Sequence, residues 1–345
     1  MRAAVLDAYG EPLGLRQVED PACPADGVVL RVLACGVCRS DWHGWRGEHP
    51  RVTPGRIPGH EYCGEVVATG PESSRRLGER LIAPFILACG ACPACRSGQS
   101  HTCPDQVLPG FTMQGAFAEY VAVPRDHNLV ALPEALSPAL AAGLGCRVTT
   151  AWHALTGRAS VAAGEWLAVH GTGGIGLAAV ILGRALGARV VAVDIVPEKL
   201  VLARALGAEA VVDARDGDVA AAIREATGGG AHVSVEALGS PVTTNASIRC
   251  LRPLGRHVQV GMPVGHTARM EIDMSAVYMG NLALFGTRGM PAWRYPSLLG
   301  LVEAGRVDLS PLLGREIPLS GASAALAAMD GPTPPGADVV TDFLH

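Results

Sequence analysis

The chain has 345 residues and a mass of 35.6 kDa, enough for about two domains of roughly 100–200 residues and a core that needs no disulfide staples. With 28 basic and 32 acidic residues its net charge is −4, which argues against a phosphate-tracking nucleic-acid binder or a polybasic membrane-surface protein. Charged residues are 17% of the total, below the roughly 25% usual for soluble domains, so the chain reads as a homo-oligomer (tetramer or dimer) that buries surface between subunits or domains.

No apolar run approaches the roughly 18–20 residues of a membrane span. The opening MRAAVLDAYGEPLGL has no apolar signal core, so the chain is expected to be cytoplasmic. Its ten cysteines are then expected to be thiols or metal ligands, not disulfides.

Up to about residue 147, short apolar stretches between Gly and Pro predict strands at 28–34 (VVLRVLA), 63–70 (CGEVVATG), 79–85 (ERLIAPF) and 116–124 (AFAEYVAVP). Such a series predicts a small, partly closed β-barrel. Between these strands stand Cys38 in CGVCRSDWH and His60 in PGHEYCGE. Cys89, Cys92, Cys95 and Cys103 follow with the spacing C-x2-C-x2-C-x7-C. Four thiolates close a tetrahedron around Zn²⁺ and leave no open position, the pattern of a structural site. An iron–sulfur cluster is the competing reading, opposed by the missing C-x3-C-P ending. A nucleic-acid-binding zinc ribbon is opposed by the single cation inside the lobe, Arg96. Cys146 lies in GLGCRVTTAWHAL. With Cys38 and His60 it makes two cysteines and one histidine, the three-ligand, one-vacancy pattern of catalytic zinc. Cys23, Cys35, Cys63 and Cys250 read as ordinary core or surface residues.

From about residue 165 strands alternate with helices. Strands are predicted at 167–170, 189–195, 210–214, 232–238 and 256–262. Helices are predicted through LAAVILGRALG, through EKLVLARALGA, at about 217–227 and near 241–252, with a further one at 295–305. That alternation predicts a doubly wound parallel sheet. After about 285 the chain, which includes the run DGPTPPGADVV, is expected to return to the first domain.

The stretch LAVHGTGGIGLAAVIL carries Gly171, Gly173 and Gly176 at the G-x-G-x-x-G positions, with Gly174 and Ile175 between them. The first glycine permits a tight turn, the second lets a pyrophosphate approach the backbone, and the third lets helix and strand pack closely. Asp194, 18 residues after Gly176, ends the next strand, where a ribose hydroxyl partner is expected. A 2′-phosphate would set an anion against it. Ile195, Val196 and Pro197 supply no cation, which favours NAD over NADP.

Taken in order, CGVCRSDWH, PGHEYCGE, the four-cysteine lobe, GLGCRVTTAWHAL, GTGGIG, VDIVPEK and VQVGMP resemble the zinc-dependent, medium-chain alcohol dehydrogenases over essentially the whole chain. The resemblance implies a GroES-like β-barrel catalytic domain at 1–147 with a structural zinc lobe at about 88–104. It also implies a Rossmann NAD-binding domain at 148–284 and a C-terminal return at 285–345. Two zinc ions per chain and NAD are implied, with an alcohol, aldehyde or ketone as substrate. Cys38, His60 and Cys146 match the catalytic zinc ligands, and Cys89, Cys92, Cys95 and Cys103 the structural ones. Glu61 matches an acid beside the metal, Ser40 the hydroxyl at the alcohol oxygen, and His43 the end of its proton relay. Arg39 matches a pyrophosphate contact, Asp194 and Lys199 match ribose contacts, and His49 and Phe85 fall where relatives line the substrate pocket. The sequence departs from many members at Arg147, at His49, and in the pair Trp42 and Trp45 flanking His43. A polyol or threonine-type dehydrogenase of the same family stays open, as does a non-catalytic zinc or redox-sensing protein. A zinc-free quinone or enoyl reductase would not need the seven ligands.

Overall fold

The computed structural model describes residues 1–331 and 336–345; the run DGPTPPGADVV falls partly in 332–335, outside the described residues. In chain order β1 (Arg2–Val5), β2 (Gly14–Gln17), β3 (Val28–Gly36), β4 (Glu61–Thr69), β5 (Arg80–Ala83), β6 (Tyr120–Val123) and β7 (Val130–Ala131) come first. Next come β8 (Trp166–His170), β9 (Arg189–Asp194), β10 (Ala210–Asp213), β11 (Ala231–Glu236), β12 (Leu251–Gln259) and β13 (Ala283–Gly286). The chain closes with β14 (Leu313–Pro318) and β15 (Ala337–Asp342). One compact unit holds Met1–Thr149, Gly289–Ala304 and Ser310–His345; the other holds Thr150–Arg288 and Gly305–Leu309.

In the first unit a sheet runs β14-β15-β3-β4-β5-β7, with β6 also paired to β3. The β-branched run of β3 suits a pleated core strand: Leu30 and Val32 are buried while Arg31 reaches solvent. Tyr62, Leu81, Ile82 and Phe117 are fully buried in the same unit. The strand expected at 116–124 is shorter than its apolar pattern. The amides of Ala116 and Phe117 donate to the carbonyls of Gly59 and Pro58, outside the β3–β6 ladder. The β3–β4 register sets Gly36 opposite Glu61.

In the second unit six parallel strands run β10-β9-β8-β11-β12-β13. The first strand is central and the order reverses after the third, the arrangement whose switch point lies between β8 and β11. Every residue of β8 is buried, as expected for a strand covered on both faces. The helix Gly174–Ala185 follows β8, Pro197–Ala205 follows β9 and Pro241–Arg249 follows β11. Asp218 caps the helix Val219–Ala226 by accepting from the amides of Ala220 and Ala221, satisfying two otherwise orphaned donors.

Two elements of this sheet carry little sequence signal. The helix Met274–Gly280 is seven residues long and has no buried residue, and β13 is a four-residue strand whose residues are none of them fully buried. β12 starts at Leu251, earlier than the expected 256, because a register shift in its pairing with β11 absorbs the Pro253–Gly255 corner. Among the described residues no helix is long and apolar enough to cross a membrane.

Candidate active site and metal centres

Adjacent ends of the β3–β4 pair supply two chemical groups. Cys38 follows β3 and starts the helix Arg39–Trp45; His60 directly precedes β4. Cys146 follows the 3-10 turn Gly143–Gly145, which is tied to the barrel by the Phe85 amide donating to the Gly145 carbonyl at 3.1 Å. One ligand atom each from Cys38, His60, Glu61 and Cys146 falls within 4.8 Å of all the others.

Asp41 organises this cluster. Its carboxylate accepts from His60 Nδ1 at 2.8 Å and from the amides of Gly59 and Cys38 at 3.1 Å each. That fixes the imidazole and leaves His60 Nε2 buried with no hydrogen-bond partner among the described residues. A buried orphan nitrogen beside two thiols is what a metal ion would satisfy, and fixing a ligand histidine through its other nitrogen is a general device. Burial works to lower the His60 pKa, but the charges of Asp41 and Cys38 hold it well above the usual value. The bond from the Cys146 thiol holds Cys38 well below the ordinary thiol range and pushes Cys146 well above it. Two thiols and one imidazole therefore sit as a proton-sharing set that a divalent cation would replace.

Glu61 is fully buried and Arg147 nearly so. The Arg147 amide and Nε each donate to Glu61 Oε1 at 3.1 Å, Nε also donates to Oε2 at 2.8 Å, and Nη2 donates to the same Oε2. Burial pushes the Glu61 carboxyl up to about 7 and the Arg147 guanidinium opposes that rise.

Ser40 is half-buried in the first turn of the Arg39–Trp45 helix. On the same helix His43 Nδ1 lies 2.6 Å from Glu48 Oε2, and the Trp42 ring meets the His43 ring edge-on at 5.0 Å. The Trp42 indole donates to Asp330 at 2.9 Å. Trp45 is buried, its indole donating to the Glu11 carbonyl, which makes it a packing residue. Arg39 stacks on Trp42 at 4.6 Å and donates to the Met329 carbonyl at 2.7 Å. Phe85 lies 5.9 Å from the His60 ring. Phe111 stands against both His49 and His60, 4.6 Å from His49 and 5.0 Å from His60. Phe111 and Asp41 were not singled out by sequence. Asp41 lies inside CGVCRSDWH at the capping position three residues after Cys38, a signal that was readable; nothing in the spacing marks Phe111.

Cys89, Cys92, Cys95 and Cys103 gather in the first unit with sulfur separations of 3.9 Å (Cys89–Cys95), 3.5 Å (Cys92–Cys95) and 3.8 Å (Cys92–Cys103). A disulfide needs about 2.05 Å, whereas a tetrahedron with zinc–sulfur bonds of about 2.3 Å has edges of ~3.8 Å. The donor set thus fits one ion. Backbone amides of Ala91 and Cys92 aimed at Cys89 hold its thiol down to about 6, whereas burial pushes Cys95 up to about 12 and Cys103 up as well, so protons are shared unequally among the four.

In the second unit the loop Gly171–Gly176 leaves the carboxyl end of β8. Gly171 has φ +89°, and a Cβ on Gly176 would fall 1.8 Å from the Gly171 carbonyl oxygen, so both positions need glycine. A Cβ on Gly173 would meet nothing within 4 Å. The space in front of that backbone, at the N-terminus of the helix Gly174–Ala185 that Ile175 continues, is open to an anionic group. Asp194 ends β9 with both oxygens engaged: Oδ2 accepts from the Thr172 amide and hydroxyl at 2.7 Å each, and Oδ1 from the amides of Ile195 and Val196. Thr172 is a tie that the sequence did not announce. Lys199 is half-buried in the first turn of the Pro197–Ala205 helix.

Residues 24–134 match the model of the alcohol dehydrogenase GroES-like domain, and 174–304 match that of zinc-binding dehydrogenases. An alcohol dehydrogenase of Geobacillus stearothermophilus is 38% identical over 76% of this chain and 78% of its own length. The alcohol dehydrogenase from Thermus sp. ATN1 superposes with a TM-score of 0.91 at 29% identity, covering 99% of this chain and 100% of its own. A zinc-binding dehydrogenase from Sinorhizobium meliloti 1021 bound to NADP superposes at 0.88 with 30% identity, covering 99% and 98%. With a GroES-like unit and a Rossmann-type parallel sheet joined in one chain, this protein belongs to the zinc-dependent, medium-chain alcohol dehydrogenase family.

Proposed function

We propose that the chain is an NAD-linked alcohol dehydrogenase holding two zinc ions, one at Cys38, His60 and Cys146 and one at Cys89, Cys92, Cys95 and Cys103. The observation that carries the reading is the convergence of the first three ligand groups with a buried, unpaired His60 Nε2. Zinc at such a site supplies Lewis acidity toward an alcohol or carbonyl oxygen, and the nicotinamide takes or returns the hydride. Asp41 orients His60. Ser40 would accept the proton of the alcohol hydroxyl, and His43, held by Glu48, would be the outlet that releases it to solvent. Phe85 and Phe111 present apolar faces beside His60, and His49 stands behind Phe111, which suits a small alcohol with an apolar body. Arg39 and Lys199 are the cations assigned to the cofactor pyrophosphate and ribose. To serve the pyrophosphate, Arg39 would exchange its bond to Met329.

The backbone of Gly171, Gly173, Gly174, Ile175 and Gly176 is assigned to the cofactor pyrophosphate. Asp194 supports NAD over NADP. Ribose hydroxyls would take over the bond now made by the Thr172 hydroxyl, and a 2′-phosphate would meet the carboxylate with no cation at Ile195 to Pro197. Losing the ribose bonds and setting like charges together costs on the order of 2–4 kcal/mol, roughly 30- to 1,000-fold in specificity. Exposed Tyr278, Met279 and Met274 on one short helix support a homo-oligomer, which light scattering of the purified protein would read directly.

A panel of alcohols and aldehydes offered with NAD and with NADP, followed by reduced-nicotinamide absorbance, tests the activity. Turnover with NAD and several alcohols is expected, and no turnover with any pair overturns the reading. In Asp194→Gly the NAD-to-NADP ratio of kcat/KM should fall at least tenfold. An unchanged ratio would make Asp194 a loop fastener only.

A further inference from the structure

By distance alone Glu61 belongs to the catalytic cluster. One of its oxygens lies within 4.8 Å of the ligand atoms of Cys38, His60 and Cys146, the same limit those three meet among themselves. Four protein ligands would close the metal and leave no position for a substrate oxygen.

We propose that Arg147 is a positioning residue that keeps Glu61 out of the ligand set, so that Cys38, His60 and Cys146 alone hold the metal. The proposal rests on reading those three as ligands. An ionised carboxylate offers about four lone-pair sites. Arg147 aims three donors at them: its amide at Oε1, its single Nε hydrogen shared between Oε1 and Oε2, and its Nη2 at Oε2. Such a two-pronged guanidinium pair is among the strongest charge-assisted arrangements. Arg147 is covalently next to Cys146, so the backbone that presents the third sulfur also delivers the lock. Its Nη2 further donates to the Val37 carbonyl at 3.3 Å, anchoring the guanidinium beside Cys38. The strand opposite makes room for the pair: a Cβ on Gly36 would fall 2.7 Å from Glu61 Oε2 and 3.0 Å from Arg147 Nη2. Electrostatics agree, because two thiolates balance a divalent cation and the Glu61–Arg147 pair adds no net charge. Without Arg147 the buried Glu61 carboxylate would have the metal as its nearest source of positive charge.

The test uses the metal-loaded protein with cobalt(II) exchanged for zinc, imidazole as a probe of the open position, and zinc release to a chelator as a second readout, all at one pH. Wild type should show an imidazole-dependent change in its visible cobalt absorption. Arg147→Gly should bind imidazole at least tenfold more weakly and release zinc more slowly, because Glu61 fills the fourth position. Adding Glu61→Gln to that variant should restore imidazole binding. Arg147→Lys, which keeps the cation without the fork and leaves more of the packing in place, should shift both readouts the same way by a smaller factor. A purely structural role predicts the reverse: loosened surroundings release metal faster, with affinity lowered roughly 10- to 100-fold, and Glu61→Gln restores nothing. That pattern overturns the proposal. If Cys146→Ala leaves the metal count unchanged, the ligand reading itself is wrong and the proposal falls with it.

Discussion

Asp41, His60 and Glu61 share one end of the β3–β4 pair with almost no exposure, and each is held by a specific partner. Burying a charged or polar group is tolerated only when its bonds are complete, so small changes beside these side chains should register as stability. Gly36→Ala places a methyl against the Glu61–Arg147 pair and has no room to relax without moving β3 or the pair. A loss of about 1–3 kcal/mol is expected, the range for overpacking, and chemical denaturation would read it; a stability equal to wild type would show that the pair shifts freely. His43 is the other residue with a sharp expectation. Its pairing with Glu48 at 2.6 Å and its place one helical turn after Ser40 suit a proton outlet. His43→Gln should slow alcohol oxidation most near neutral pH and less at high pH, where hydroxide replaces the outlet. Identical pH–rate profiles for variant and wild type would remove His43 from the path.

Elements differ in how openly the sequence displays them. β8, the glycine loop and the following helix are legible because Gly171 and Gly176 each answer a backbone demand and the strand is apolar up to His170. The four-cysteine lobe was legible from spacing alone, and its 3.5–3.9 Å sulfur contacts match that spacing. The helix Met274–Gly280 and β13 were not. Both are short: the helix spans seven residues and β13 four, too few for apolar periodicity, the main local signal, to separate helix from strand. Partnerships across the chain were equally hidden. Glu61 and Arg147 are 86 positions apart, and the pattern around Arg147 registered only as a departure from the family. Phe111 reaches His60 through a loop with no repeating signal. For the lobe itself, a closed thiolate site contributes folding energy while an open site contributes chemistry. Cys95→Ala should therefore cost one of two bound metal ions and lower the melting temperature while some turnover survives. Cys146→Ala should abolish turnover with a nearly unchanged melt. Metal analysis with thermal melts on both variants checks the division, and equal losses of activity and stability in the two would contradict it.

Across the whole molecule the metal-binding groups and the glycine loop sit on two separately compact units, and acid should act on each by a different route. In the first unit low pH would protonate the thiols of the proposed ligand sets and free the metal they would hold. The second holds no such cluster among its described residues but buries two histidines in its sheet, His170 on β8 and His257 on β12, with β11 between them. Burial pushes His170 down to about 3, aided by the neighbouring His257, and pushes His257 down to about 4. Both are fastened as neutral rings: His257 Nδ1 faces the hydroxyls of Ser247 at 3.0 Å and Ser234 at 3.4 Å, and His170 Nε2 lies 3.6 Å from Cys250 Sγ. Unfolding exposes them to water, where each takes a proton below about 6.5. Between that value and the folded pKa values the unfolded chain binds more protons, so stability falls as pH falls. Above about 6.5 the contribution is complete; at pH 5 each histidine should have cost about 2 kcal/mol, and the loss continues toward pH 4 and 3. Urea denaturation of wild type and of His170→Asn/His257→Gln at pH 7.5 and pH 5.0 isolates this term from metal loss, which both proteins share. The double variant should start less stable and lose several kcal/mol less between the two pH values. Equal losses would mean that the acid sensitivity lies in the thiolate sites and not in these buried rings.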